Sequence, residues 1–160
     1  MAHDVRAATK ADIPVIVDLI YGLARYEQLE SECTATADRM EIALFGESPK
    51  VFAYVATEAG VVVGSAIWFL SFSTWDSLHG IYLEDLYVQP DHRGGGHGLR
   101  LLQALAKECV EKGYSRLGWE VLDWNEPSIA FYEGLGASAQ DGWTGYRLSG
   151  NALASLAAGA

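Results

Sequence analysis

The chain has 160 residues, which at roughly 150 residues per domain predicts one domain spanning 1–160. Half of the residues are hydrophobic, 20% are charged and mean hydropathy is +0.08, so there is enough apolar material for a core and whole-chain disorder is excluded. The 11 Lys+Arg against 21 Asp+Glu give a formal net charge of −10; a field of that sign disfavours nucleic acid and favours cationic partners, although a solvated acidic surface has the same composition. Cys33 and Cys109 stand far apart with no C-x-x-C pair, which predicts neither a disulfide framework nor a thiolate zinc site and fits a reducing cytoplasm. The longest apolar stretch, Val61 to Leu70, is broken by Gly64 and Ser65 and is too short to span a bilayer, and no leader-like segment opens the chain. No membrane association is expected.

In chain order, Val5 to Ala8 reads as a short strand, followed by Thr9 as an N-cap with Asp12 at the capping-box position. Ile13, Ile16, Val17, Ile20, Leu23 and Ala24 recur at helical spacing, which predicts a first helix ending near Tyr26-Glu27. Thr36 is a second N-cap, before a short helix through Met40, Ala43 and Leu44 that stops near Gly46. Val51–Thr57 and Val61–Ser71 are β-rich runs separated by Glu58-Ala59-Gly60, which predicts a hairpin with a three-residue connection. A strand over Ile81–Val88, a periodic helix over Leu99–Lys112 and a strand over Arg116–Leu122 follow. Pro127 opens a further helix closed by Gly134 and Gly136, Gly145–Leu148 reads as a last strand, and the Ala-rich tail from Leu153 is expected to fray. The fold class is α/β (α+β), with helices on a largely antiparallel sheet.

The segment richest in chemistry is Tyr82-Leu83-Glu84-Asp85-Leu86-Tyr87-Val88-Gln89-Pro90, which runs through Asp91-His92-Arg93-Gly94-Gly95-Gly96-His97-Gly98 into a helix. Four glycines among residues 93–98 let backbone N–H groups approach a ligand without obstruction and lead into the positive end of a helix dipole, a geometry suited to a pyrophosphate. The same composition also reads as an ordinary glycine-rich turn. There is no Gly-Lys-Ser/Thr of a P-loop and no full G-x-G-x-x-G from Gly94 or Gly96. No H-E-x-x-H occurs among His3, His79, His92 and His97, so no metal is expected, and no G-x-S-x-G marks a hydrolase.

The loop does match Arg-x-x-Gly-x-Gly, as Arg93, Gly96 and Gly98. With Val121-Leu122-Asp123-Trp124-Asn125-Glu126-Pro127-Ser128-Ile129-Ala130-Phe131-Tyr132, Leu135-Gly136-Ala137 and the upstream Tyr82-Leu83-Glu84-Asp85, the chain resembles the GNAT superfamily of N-acetyltransferases, specifically its diamine branch of spermidine/spermine and thialysine type. The resemblance runs from the first strand to about Arg147 and implies a GNAT fold, a mixed and mostly antiparallel sheet that splays between its fourth and fifth strands. It implies acetyl-CoA as cosubstrate, held by the backbone of Leu86, Tyr87 and Val88, by Arg93, Gly94, Gly95, Gly96, His97 and Gly98 around the pyrophosphate, and by Asn125, Ser128 and Tyr132. Asn125 and Ser128 also flank a Pro127 helix start and read equally as caps.

Acetyl transfer to an amine needs a neutral nitrogen, yet an alkylamine with pKa near ~10.4 is protonated at pH 7, so a base or water relay is required. On the resemblance, Glu84 supplies it and Tyr132 is the acid for the departing thiolate, with no metal required. Pattern alone leaves Glu84 as an exposed strand carboxylate and Tyr132 as a packing residue with its hydroxyl at the surface. Tyr26, Glu27 and Asp141 match acceptor contacts, and Trp119 and Glu120 on the fifth strand add an aromatic wall and another carboxylate. Several acids around one mouth select a small molecule with two or more positive charges, a polyamine or a lysine-like amino acid. The resemblance also implies a homodimer. Competing readings are a GNAT enzyme for a protein lysine or an aminoglycoside, and a non-catalytic CoA-binding module.

Overall fold

The computed structural model describes residues 3–159. The chain divides into two compact units, Met1–Leu122 and Asp123–Ala160. The first unit holds a five-stranded sheet in sequence order, β1 (His3–Ala7), β2 (Phe52–Glu58), β3 (Val61–Ser73), β4 (Leu78–Val88) and β5 (Leu117–Gly118). Its pairs are antiparallel except β4 with β5, which are parallel and joined through a helical crossover, α3 (His97–Lys112). That connection is what a parallel pair demands, because no tight turn can join strands running the same way.

Helices α1 (Ile13–Tyr26) and α2 (Ala37–Phe45) cover one face of the sheet, where Ile13, Ile16 and Leu44 pack with Ala53, Val55 and Ile67 in one buried cluster. On the opposite face α3 buries Leu101, Leu102, Leu105 and Cys109, and its Glu108 accepts a 2.9 Å hydrogen bond from the Tyr54 hydroxyl. Each buried Leu or Ile contributes about 1.5–3 kcal/mol relative to exposure, so the two helix faces are the main source of cohesion. A cavity of about 310 Å³ between α3, α2 and the sheet is lined by Phe52, Tyr54, Trp68 and Glu108 and shares no residue with the glycine loop.

Local sequence accounts for the helix ends. Thr36 caps α2 by accepting from Arg39 N at 3.3 Å. A 3-10 turn over Lys10–Asp12 precedes α1, so the helix begins at Ile13 rather than directly after Thr9. Asp12 is nearly fully buried there and receives the Thr9 N–H at 2.8 Å, the Thr9 hydroxyl at 3.1 Å, and both Arg6 guanidinium nitrogens at 2.7 and 3.0 Å. One carboxylate therefore stitches β1 to the start of α1.

Four sequence expectations are corrected. The β2–β3 connection is a two-residue turn, because Glu58 pairs with Val61 and both Ala59 and Gly60 take positive φ, at 50° and 82°. That matches the twist of a tight hairpin, at the cost of a left-handed alanine. The strand expected over Arg116–Leu122 shrinks to Leu117–Gly118, since β4 offers it ladder partners only at Ile81 and Tyr82. No strand forms at 145–148 among the described residues. The tail is helical, α5 (Gly150–Ala157), as an Ala- and Leu-rich segment allows. The second unit otherwise consists of α4 (Glu126–Gly134) and irregular chain.

The β4 backbone carries one irregularity that matters. Asp85 pairs with Ile67 and Leu83 with Trp68, so Glu84 is an extra residue, a bulge in β4 opposite the Ile67–Trp68 step. Because strand side chains alternate, that insertion exchanges the faces: Leu83 lies on the α3 side with Trp68, whereas Asp85 and Tyr87 lie on the α1 side. Gly22 of α1 makes room there, as a Cβ on it would come within 2.6 Å of the Tyr87 ring.

The guanidinium and Thr9 bonds hold Asp12 down at about 2 against an ordinary 3.8. A lowered carboxylate adds stability that is complete above its unfolded pKa and is lost as pH falls through its folded one. Urea unfolding is expected to show stability decreasing between about pH 4 and pH 2, and Asp12→Asn to remove most of that slope while lowering stability at neutral pH.

Candidate active site

Beyond Tyr82, β4 diverges from β5, and residues 83–88 have no strand neighbour on that edge among the described residues. The strand then runs through a 3-10 turn at Pro90–His92 into the glycine loop. Gly94 and Gly96 have φ of 80° and 78°, a left-handed backbone that only glycine adopts readily, and a Cβ on Gly94 or Gly98 would meet open space. Gly96 is the N-cap of α3 and supplies no side-chain cap, so the first N–H groups of a 16-residue helix face the loop with no capping side chain. An anionic diphosphate fits this cradle: uncovered N–H donors, a helix dipole and an unpaired strand edge beside them.

The loop's cations are anchored rather than loose. Arg93 Nε donates to Val88 O at 3.0 Å, and its guanidinium lies 5.1 Å from the Tyr26 ring centre and 5.3 Å from that of Tyr87. Arg93 thereby ties the loop to the end of α1 and to β4. Arg100, which sequence reasoning passed over, donates from Nη2 to Gly95 O at 2.6 Å. Its signal was present, since helical spacing puts Arg100 one turn beyond Gly96. His97 is buried with its ring at the 3.4 Å approach of Glu58, so its side chain faces the sheet and only its backbone belongs to the cradle.

The acidic residues gather along β4. α1 ends in a left-handed Gln28 at φ 63°, and the Leu29 N–H bonds Ala24 O at 2.8 Å, which closes the helix sharply and fixes Glu27. Burial pushes Glu27 above its usual range, and a carboxylate at a helix C-terminus gains nothing from the dipole. Asp85, the residue that the sequence reading left out, is pushed up to about 6 by burial first and then by the charges of Glu84 and Glu27. Tyr82 is pushed up to about 12 by burial and by Glu120, whose carboxylate its hydroxyl bonds, with Glu84 adding to the effect. Glu27, Glu84, Asp85 and Glu120 thus share one electrostatic neighbourhood around β4, although Trp119 and Glu120 lie just past β5 rather than on it. Asp85 was visible only as the neighbour of Glu84; its role depends on the bulge.

In the second unit, Asn125 Oδ1 accepts from Ser128 N at 3.4 Å and caps α4, the local role that Pro127 also implied. Tyr132 is half-buried on α4 with its ring 5.5 Å from Phe131, and Asp141 is exposed in the following irregular chain.

Residues 20–137 match the Acetyltransferase (GNAT) family. The chain belongs to that family and is an N-acetyltransferase acting on amines. It is 35% identical to the thialysine N-epsilon-acetyltransferase of Bos taurus, with 96% of each chain aligned, and 27% identical to the L-ornithine N5-acetyltransferase of Arabidopsis thaliana, with 98% of this chain and 88% of that one aligned. With a spermidine/spermine N(1)-acetyltransferase-like protein of Homo sapiens also similar, its relatives are those of the diamine and thialysine branch. Among solved structures, an integron cassette protein from the mobile metagenome of V. cholerae superposes with a TM-score of 0.81 at 28% identity over 98% of both chains. No helix among the described residues is long and apolar enough to cross a membrane.

A carbon-13 NMR titration of side-chain carboxyls is expected to show one Asp signal with its midpoint near 6. Asp85→Asn should abolish that signal, and Glu84→Gln should move it down toward the ordinary value. Because the folded state holds this proton more tightly than the unfolded one, the same group should make stability fall as pH rises through that interval.

Proposed function

We propose that the 160-residue chain works as one acetyl-CoA-dependent N-acetyltransferase domain that acetylates a primary amine of a small, multiply charged cation, a polyamine or a thialysine- or lysine-like amino acid. The observation that carries this reading is the strand edge left unpaired after Tyr82, running directly into the uncapped glycine loop at the start of α3. Leu86, Tyr87 and Val88 would hold the pantetheine arm through their backbone, and Gly94 to Gly98 with Arg93 would hold the pyrophosphate; Asn125 and Ser128 would contribute from α4. When bound, acetyl-CoA supplies an acetyl group already activated as a thioester.

The chain's own residues then manage charge and protons. Glu27, Glu84, Asp85 and Glu120 form an acidic field that draws a di- or tricationic acceptor toward β4 and that salt weakens. Glu84, re-aimed by its bulge, takes the ammonium proton directly or through water, so that a neutral nitrogen attacks. A β4 backbone N–H stabilises the developing oxyanion, and the Tyr132 hydroxyl donates a proton to the departing sulfur. Tyr26, Trp119 and Asp141 complete the acceptor contacts. Two unpaired cysteines, Cys33 and buried Cys109, support a reducing cytoplasmic setting. Exposed Trp143, Tyr146, Leu148 and Leu156 support a homodimer in which a second chain covers the C-terminal segment.

Thiol release from acetyl-CoA against spermidine, spermine, putrescine, thialysine, lysine and an aminoglycoside is expected to turn over with a polyamine or thialysine and to fall at high salt. Binding of acetyl-CoA with no turnover on any of these amines would move the reading to a protein lysine or a CoA-binding module. Tyr132→Phe should lower kcat by about 10²–10⁴-fold, the usual worth of a positioned proton donor, with little change in acetyl-CoA affinity; an unchanged kcat removes Tyr132 from the chemistry. Sedimentation should give the mass of two chains.

A further inference from the structure

At the end of the glycine loop, where α3 begins, three elements bring metal-ligating groups together. His3 opens β1 and is the direct cross-strand partner of Glu58, the last residue of β2. His97 is the first residue of α3 and packs its ring edge-on to that of His3, with centroids 5.0 Å apart. One ring nitrogen from each histidine and one carboxylate oxygen of Glu58 all lie within 4.8 Å of one another.

Geometry alone would leave this a chance cluster of surface side chains. What distinguishes it is His97: the residue is 2% exposed, and its Nε2 is buried with no hydrogen-bond partner. A buried imidazole nitrogen that bonds nothing has lost its water without compensation, and such groups are rare in native interiors. The Glu58 Oε2 sits 3.4 Å from this nitrogen, which is too long for a good hydrogen bond but close to the separation of about 3.4 Å that two ligands of a tetrahedral ion with bonds of about 2.0–2.1 Å require. The other ring nitrogen does not forbid this. Arg100 Nη2 lies 3.4 Å from Nδ1 while bonding Gly95 O at 2.6 Å; because a guanidinium only donates, an ion on Nε2 requires the tautomer in which Nδ1 carries the proton and Arg100 keeps its bond to Gly95 alone.

We propose that His3, Glu58 and His97 form a site for a divalent transition metal of zinc-like chemistry, with His92 as an outer partner. Two imidazoles and a carboxylate without thiolate suit zinc, cobalt or nickel better than calcium or magnesium, which prefer all-oxygen shells. A fourth position is left to water. His92 Nδ1 lies 2.6 Å from Glu58 Oε2 and orients the carboxylate, the arrangement by which outer partners steady a ligand. The ion would clamp the ends of β1 and β2 to the first residue of α3, and so brace the glycine loop that His92 and His97 flank. The three ligands come from positions with no regular spacing, which is why no motif announces them.

The test uses the 160-residue chain without a histidine tag, stripped with chelator, with Zn²⁺ and Co²⁺ as probes. One zinc per chain retained after dialysis, an intense visible Co²⁺ spectrum typical of four-coordination and a zinc-dependent rise in Tm are expected. Since His97 is buried and its replacement risks misfolding, the exposed His3→Gln and the isosteric change of half-buried Glu58→Gln carry the result. Each should weaken zinc binding by more than the roughly 10–100-fold that loss of an outer partner costs, whereas His79→Gln should leave it unchanged. Substoichiometric zinc, affinity indifferent to His3→Gln and Glu58→Gln, or an equal loss in His79→Gln would each overturn the site. None of these readouts depends on acetyltransferase activity, so failure here is separable from failure of the proposed function.

Discussion

The bulge at Glu84 is the constraint on which the rest of the first unit depends. One extra residue between Leu83 and Asp85 ends the register that β4 keeps with β3 on one side and re-sets it on the other. The strand bends and twists more strongly at such a point. Its other edge loses β5 after Tyr82, and the backbone of residues 83–88 is left with donors and acceptors that no neighbouring strand takes. An edge of this kind is a liability in a protein with nothing to place on it. Here it leads straight into the glycine loop at the start of α3, whose exposed N–H groups would suit an anion, in a chain that belongs to the GNAT family.

The same bulge decides the electrostatics. By exchanging faces it turns Asp85 toward α1, where the end of that helix presents Glu27, and leaves Glu84 at the irregular step. Four carboxylates in one neighbourhood, one of them at the wrong end of a helix dipole and one raised to about 6, cost folding energy. Local rules are broken together where a bound cation would repair them, which is where functional sites tend to accumulate such violations. Arg93 is itself anchored beside them: its guanidinium is held by Val88 O and lies over the faces of Tyr26 and Tyr87.

The second unit is organised differently. α4 is capped by Asn125 and opened by Pro127, and α5 is an Ala- and Leu-rich helix with no buried residue. Large apolar residues from Trp143 to Leu156 are exposed. In the first unit some glycines are sterically specified, as at Gly80, where a Cβ would lie 2.7 Å from Arg116 O at the start of the β4–β5 pair.

Sequence alone determined what depends on neighbours along the chain. Thr36 and the Thr9–Asp12 pair marked helix starts, apolar periodicity marked α1 and α3, β-rich runs on either side of a glycine turn marked the hairpin, and the glycines from Gly94 to Gly98 marked the loop that opens α3. Tertiary structure decided what depends on partners distant in sequence. The length of β5 was set by how far β4 runs beside it, so a run of strand-forming residues from 116 to 122 yielded only Leu117–Gly118. The bulge, and with it the side to which Asp85 turns, exists only as a mismatch between β3 and β4. The convergence of His3, Glu58 and His97 likewise exists only once β1, β2 and α3 have docked. Composition and spacing report a residue's preferences; ladder register and burial, which change both the face and the ionisation of a side chain, arise only from the assembled sheet.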